Sequence, residues 1–346
     1  MRYTHTYRML LILLLIVVLL LLNLLLGSVS IPAQSIWNIL TGTGNEPVSW
    51  QNIVWKSRLP QALTALAAGA GLAVSGLQMQ TVFRNPLAGP SVLGISSGAS
   101  MGVAFVILLS GSLGGVALSR LGVMGEIALS VAAIIGSLSV MALIVYVSQK
   151  VKGNVTLLII GVMIGYVSNA VIGVLKFFSV EEDIRAYVIW GLGSFSRVSG
   201  NQMMLFVTLM AILLPLSFLL IKTLNLMLLG DGYARNLGLN IKRARLLVIV
   251  SAGVLTAIVT AYCGPIIFLG LAVPHLARAM FQTSDHRTLM PATLLLGAAL
   301  ALICNLLARM PGFEGALPVN SVTALVPADT ITSKRARLIF SPKLRA

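Results

Sequence analysis

The chain has 346 residues, of which 58% are hydrophobic and 10% charged, with a formal net charge of +15. A soluble domain is about 45–50% apolar and about 25% charged, so this composition excludes an ordinary soluble protein and points to one that crosses a membrane many times. The apolar runs are continuous instead of alternating, which favours helices over a β-barrel, and the basic residues sit in short loops with few aromatics, which speaks to orientation and not to nucleic acid.

The first run, Met9 to Gly27, follows Arg2 and Arg8 and carries no charge. It exceeds the apolar core of a signal peptide, about 7–15 residues, and no A-x-A site follows it. A first transmembrane helix with a cytoplasmic N-terminus is expected. After a polar loop holding Glu46, Lys56 and Arg58, crossings are expected near 62–82, 93–110, 124–147, 155–175, 203–221, 246–262, 265–280 and 289–307, nine in all. Of the 24 basic residues this topology leaves twelve inside and seven outside, with Lys334, Arg335, Arg337, Lys343 and Arg345 in the tail. A tenth crossing would put the tail inside, as the positive-inside rule favours. Pro318, Asn320, Pro327 and Asp329 make Gly315 to Thr332 poor material for one, and the sequence alone leaves that conflict open.

Three stretches are not plain lipid-facing helix. "RNPLAGPSVLGISSGAS", Arg84 to Ser100, breaks with Pro86 and Pro90 and turns at Gly89 and Gly94. It reads either as a cytoplasmic turn or as a re-entrant loop packed against its neighbours. "LNLMLLGDGYARNLGLNIKRARLL", Leu224 to Leu247, fits two short helices on the cytoplasmic face, with Leu229, Leu237 and Leu239 as apolar knobs and Arg235 and Lys242 in water. A solvated loop is the other reading. In "KFFSVEEDIRAYVIWGLGSFSRVSGNQ", Lys176 to Gln202, Glu181, Glu182 and Asp183 read as a solvated charge run. The following "IRAYVIWGLG" is too short to span and fits a surface helix shielding the mouth of a pathway.

Catalytic signatures are missing from the sequence. There is no G-x-x-x-x-G-K-[ST], no H-E-x-x-H and no G-x-S-x-G, and His5, His275 and His286 are widely spaced. Cys263 and Cys304, isolated in apolar runs, read as small buried hydrophobes. Glu126 is the one acid that falls in an apolar segment, near a helix end, which offers little for a proton relay. The reading is therefore no enzyme, no cofactor, no metal site, and a transporter energised from elsewhere.

"RLPQALTALAAGAGLAVSGLQMQTVFRNPLAGPSVLGISSGAS", Arg58 to Ser100, closely resembles the first signature of the FecCD-type permeases, the membrane subunits of bacterial ABC importers for ferric siderophores, haem and cobalamin. "LLGDGYARNLGLNIKRARLL" from Leu228, "CGPIIFLGLAVPHLARAMFQTSDHRTLMPATLLLGA" from Cys263 and "LPVNSVTAL" from Leu317 resemble further signatures in the same order, covering about residues 53 to 325. The resemblance implies one permease domain over residues 1–346, all-α, with about ten transmembrane helices in the type II ABC importer permease fold. It implies a multi-pass protein of the bacterial inner membrane, working as a homodimer with two ATP-binding cassette ATPase subunits inside and an extracytoplasmic substrate-binding protein outside.

The resemblance also assigns residues. A cytoplasmic coupling segment over 228–245 would form two short helices in an ATPase cleft, with Gly230, Asp231, Ala234, Arg235, Leu237 and Gly238 on the motif. Arg58 and Arg309 match outer arginines that pair with carboxylates of the binding protein, an exchange suited to steering and release. Asn85, Pro86, Gly94, Pro274 and His275 fall on structural motif positions, and the family frame reads Arg84 to Ser100 as a turn. Near 155–175 a helix and its dimer mate would line the path. The chain departs from the family in having Gln61 where an Arg is common, Asn305 where an Asp is common, and an atypical tail over 326–346. The competing reading is a secondary transporter of a small solute working without an ATPase.

Overall fold

A chain this apolar has to satisfy its backbone polar groups within itself, and helices do so residue by residue. The computed structural model describes residues 2–112, 123–151, 153–198, 200–309 and 317–332, and every regular element among the described residues is helical. In chain order these are α1 (Arg2–Leu25), α2 (Ala33–Thr41), α3 (Val48–Ile53), α4 (Leu59–Phe83), α5 (Ile95–Ser112), α6 (Val123–Lys150), α7 (Asn154–Phe177), α8 (Glu181–Gly191), α9 (Gly200–Phe218), α10 (Ile221–Leu228), α11 (Asp231–Asn236), α12 (Ile241–Cys263), α13 (Leu269–Phe281), α14 (His286–Ala308) and α15 (Val319–Thr332).

The nine expected crossings correspond to α1, α4, α5, α6, α7, α9, α12, α13 and α14. Among the described residues six helices are long and apolar enough to cross unaided, and α9 with α10, bent by 47°, makes a seventh if the pair counts as one span. The expected crossing 203–221 is thus interrupted. Pro215 lies inside α9 and cannot donate its backbone hydrogen bond, and the helix stops three residues later. At 1.5 Å per residue, the 13 residues of α13 reach only about 20 Å across a hydrocarbon core of about 30 Å.

Where a tenth crossing was in question the chain forms α15, 14 residues long, which is not among the helices long and apolar enough to cross. Asn320 spends its amide on loop backbone instead of facing lipid. Its Nδ2 donates to the carbonyl of Pro265 at 2.6 Å and its Oδ1 accepts from Ile267 N at 3.3 Å. Arg120, Lys152 and the five basic residues of the tail lie outside the described residues.

Helix α4 is the centre of the molecule, with all but Gln61, Leu63 and Leu66 buried between Pro60 and Phe83. Its small residues allow this. A Cβ on Gly76 would lie 1.7 Å from the carbonyl oxygen of Gly270, and one on Gly69 would lie 2.3 Å from that of Gly297. The backbones of α13 and α14 therefore touch α4, which suits association in lipid, where close packing and not hydrophobic drive holds helices together. Ser75 on α4 shares a 2.7 Å hydroxyl contact with Thr256 on α12. Helices α6 and α7 sit outside this core and leave large apolar side chains exposed along most of their length.

Between α12 and α13 the chain is non-helical at residues 264–268. Helix α8, with Asp183, Tyr187 and Trp190 buried, lies over this link. Ser194 N donates to the carbonyl of Cys263 at 2.8 Å, and Asn320 Nδ2 also reaches the carbonyl of Gly191. The acids at the start of α8 were expected to be solvated. Glu181 and Glu182 are exposed, whereas Asp183 turns inward. All three occupy the first turn, where the helix dipole favours negative charge.

Candidate functional site

At the inner end of the molecule the segment between α9 and α12 forms a knuckle. The two short helices expected around Leu224 to Leu247 are α10 and α11, but within 228–245 only α11 is complete, since α10 ends at Leu228. The reason is local. Asn240 caps α12 by accepting from Arg243 N at 3.1 Å, so Ile241 to Arg245 become the first turn of a long span. Gly230, at φ +101°, forms the bend between α10 and α11, a backbone setting that favours glycine.

The knuckle presents Leu229, Tyr233 and Leu237 to the outside, at 56%, 73% and 60% exposure, with Arg235, Gly238 and Lys242 exposed beside them. Leu239, expected as a third knob, is partly buried against the core. Ala234 also faces inward, fully buried, so its small side chain seats α11 and offers no surface.

Two arginines the sequence did not single out hold the knuckle. Arg84 pairs with Asp231 and also donates to the carbonyl of Met227 at 3.3 Å, so one guanidinium brackets the end of α10 and the start of α11. Arg245, 8% exposed, lies 3.6 Å from the other oxygen of Asp231. These are the ion pairs among the described residues, and both converge on one carboxylate. A sequence signal existed: Asp231 is the one acid between Leu224 and Leu247, among four basic residues. Further along, Asn225 on α10 donates to Asp285 at 2.7 Å and accepts from His286 N at 2.9 Å, which ties the knuckle to the start of α14. The N–H of Arg287, with help from Asn225, holds the Asp285 carboxyl below the usual carboxylate range.

The structural motif residues lie close by. Asn85 Oδ1 accepts from Leu87 N at 2.9 Å, an Asx turn that carries the chain through Pro86 into a 3₁₀ turn at Pro90–Leu93. Gly94 follows at φ +75° and α5 begins, so Arg84 to Ser100 is a turn plus a helix start. Pro274 is buried inside α13 and His275 is half-buried beside it.

The outer end differs from expectation. Arg58 is fully buried, with exposure of 0%, and donates to the carbonyls of Leu24 at 2.6 Å, Leu25 at 3.0 Å and Val29. The guanidinium expected to face a partner carboxylate is thus engaged by carbonyls at and just past the end of α1. A π-helical turn at Val54–Arg58, wider than an α turn, leads into Arg58 immediately before α4. Arg309 is part-buried next to it, and both guanidinia approach Gly27. Burial, and then Arg58, lower the Arg309 guanidinium from its ordinary value. Gln61 Nε2 donates to Ser57 Oγ at 3.1 Å. Deeper in the membrane Asn305 Nδ2 donates to Asn23 Oδ1 at 2.8 Å, joining α14 to α1 with two neutral amides. Cys263 and Cys304 are buried free thiols.

The FecCD transport family model matches residues 14–329, which extends the resemblance to α1 and four residues past Leu325. The hemin transport system permease protein of Yersinia pestis is 35% identical over 302 residues, covering 87% of this chain and 86% of that one. The vitamin B12 import system permease protein of Klebsiella pneumoniae subsp. pneumoniae is 36% identical over 279 residues, covering 80% of each. Among solved structures, a metal-chelate type ABC transporter in an inward-facing conformation superposes with a TM-score of 0.80 at 28% identity, over 97% of this chain and 99% of that one.

Proposed function

The chain belongs to the FecCD transport family, and from that premise we propose that it is the membrane permease of an importer that moves a metal chelate into the cytoplasm. A ferric siderophore, haem or cobalamin is the cargo class, and separate ATPase subunits on the inner face supply the energy. The chain performs no covalent chemistry. It acts as a single domain over residues 1–346 in the inner membrane, pairs with a second copy, and receives cargo from an extracytoplasmic binding protein. The exposed face of α7, apolar apart from Thr156, Tyr166 and Asn169, lines the path with its mate.

The observation that carries this reading is the knuckle. Three large apolar side chains stand exposed at the inner end on a segment wired to α4, α12 and α14. Apolar knobs of that kind fit a groove in a partner, and the ion pairs give its motion a route into the spans. Segment 228–245 is the coupling element. Asp231 acts within the chain, holding α11 to Arg84 and Arg245, while Leu229, Tyr233 and Leu237 meet the ATPase. Docking of the binding protein falls to Arg309 and not to Arg58.

Reconstitution with the cognate ATPase tests this. Replacing Tyr233 and Leu237 by Ser lowers ATPase affinity at least tenfold, while Asp231→Asn leaves ATPase binding intact and lowers cargo moved per ATP. Transport unchanged in both variants sinks the coupling assignment. Uptake that persists without any ATPase and collapses with the proton gradient replaces it with the secondary transporter. Arg309→Glu weakens binding-protein affinity, and an unchanged affinity removes the docking role.

A further inference from the structure

At the inner ends of α4 and α13 lies a cavity of about 550 Å³, within the range of small-molecule sites of about 300–1,000 Å³. Its polar lining is Gln80, Arg84, Asn85, His275, Arg278 and Gln282, with no carboxylate. The cationic members are unevenly matched. Asp231 answers Arg84 from the side of the knuckle, whereas Arg278 is held by the neutral amide Oε1 of Gln80 and takes part in neither ion pair among the described residues.

The backbone gives a second, independent observation. Among the described residues two non-glycine residues have positive φ, Arg84 at 49° and Gln282 at 50°. Each ends a helix, α4 and α13 respectively, at the position where glycine is the usual occupant because a Cβ is strained there. Both line this one cavity. Glycine would close each helix at lower cost, so the strain is tolerated for the sake of the side chains, and strained residues of this kind gather at ligand sites. Nor do the arginines simply cap their helices. Arg84 reaches Met227 and Asp231, and Arg278 reaches Gln80, while the terminal carbonyls of α4 and α13 are taken by backbone N–H groups of Arg84, Asn85 and Gln282.

We propose that this cavity is an anion site that takes a phosphate group, with the Arg278 guanidinium as its charged partner and the Gln282 and Asn85 amides as further donors. A planar guanidinium with flanking amides matches the oxygens of a phosphate ester. The level of the site, at the inner ends of two membrane helices, is where anionic lipid headgroups lie, and a soluble phosphate ester reaches the same level from the cytoplasm. Arg84 is shared with the knuckle, but the charged partner, Arg278, is not, so the proposal does not rest on the transport reading.

Thermal unfolding of the full chain tests the proposal, with inorganic phosphate against chloride at equal ionic strength in a neutral detergent, and with phosphatidylglycerol against phosphatidylcholine in nanodiscs. Anion at ten times its Kd raises the midpoint by roughly 2–4 °C. A rise in phosphatidylglycerol alone identifies a lipid headgroup, and a rise with inorganic phosphate identifies a soluble ester. Arg278→Gln and Gln282→Gly each abolish the rise, while Arg235→Gln, on the exposed knuckle, retains it. Gln282→Gly is the sharper variant. It relieves a strained backbone, so its own midpoint holds or increases even as the anion effect disappears. No rise with either probe, or a rise that survives Gln282→Gly, overturns the proposal.

Discussion

The two ends of the molecule use arginine in opposite ways. At the outer end Arg58 is sealed inside, its guanidinium given to three backbone carbonyls at the close of α1, and no acid is involved. At the inner end Arg84 and Arg245 share the single carboxylate of Asp231, and the Arg84 contact is open to water at 43% exposure of its side chain. A carbonyl cap cannot exchange partners without leaving a helix end unsatisfied. An ion pair at the rim can break and reform at small cost. The outer contact is therefore the harder of the two to break.

The contrast can be broken most severely at Arg58. Arg58→Ala takes the donor from three carbonyls, that of Leu24 buried and those of Leu25 and Val29 part-buried, and is expected to lower stability by about 2–4 kcal/mol, read as a fall in the detergent melting temperature. A loss under about 1 kcal/mol would mean that water replaces the guanidinium and that the outer end is not sealed. Asn23→Leu tests the same end at depth. It orphans Asn305 and is expected to cost about 1–3 kcal/mol. At the inner end Asp231→Asn should cost about 1–2 kcal/mol, because Arg245 stays buried while the rim lets solvent compensate.

Smaller effects sharpen the comparison. Asp285→Ala removes the cap of α14 and is expected to cost about 1 kcal/mol. The pH dependence of that contribution has a definite sign. The carboxyl of Asp285 lies below its ordinary value when folded, so its stabilisation is complete above the unfolded carboxylate value and fades as pH falls through the folded one. An acid titration in which Asp285→Ala flattens that decline checks it. Least of all, 1 M salt should loosen the Arg84–Asp231 pair and leave the Arg58 cap unaffected, since only the former faces water.

The sequence made the spans legible because a run of about 20 apolar residues has few other uses. The turn at Asn85-Pro86 and the knuckle around Gly230 were marked by residues whose backbone preferences are strong. Burial direction was hidden. Arg58 carries the same local signature as an exposed interfacial arginine, and only the fold of α1 against α4 decides that it points inward. Ala234 falls on the coupling motif, but a small residue permits close approach toward the chain's own core as well as toward a partner, and here it faces the core. Arg84 and Asp231 are separated by 147 positions, so their pairing left no local pattern, although a lone acid among basic residues was a usable hint.

The short α13 has a consequence for how the bilayer meets the protein. A span of about 20 Å leaves the outer third of the membrane at that position without helix, and residues 264–268 fill the gap with backbone that hydrocarbon could not solvate. Helix α8 and the Asn320 amide lie between that backbone and the outside. They act as insulation: α8 is a gasket as much as a surface ornament, and a chain trimmed of it would let lipid tails or water reach the non-helical backbone at residues 264–268.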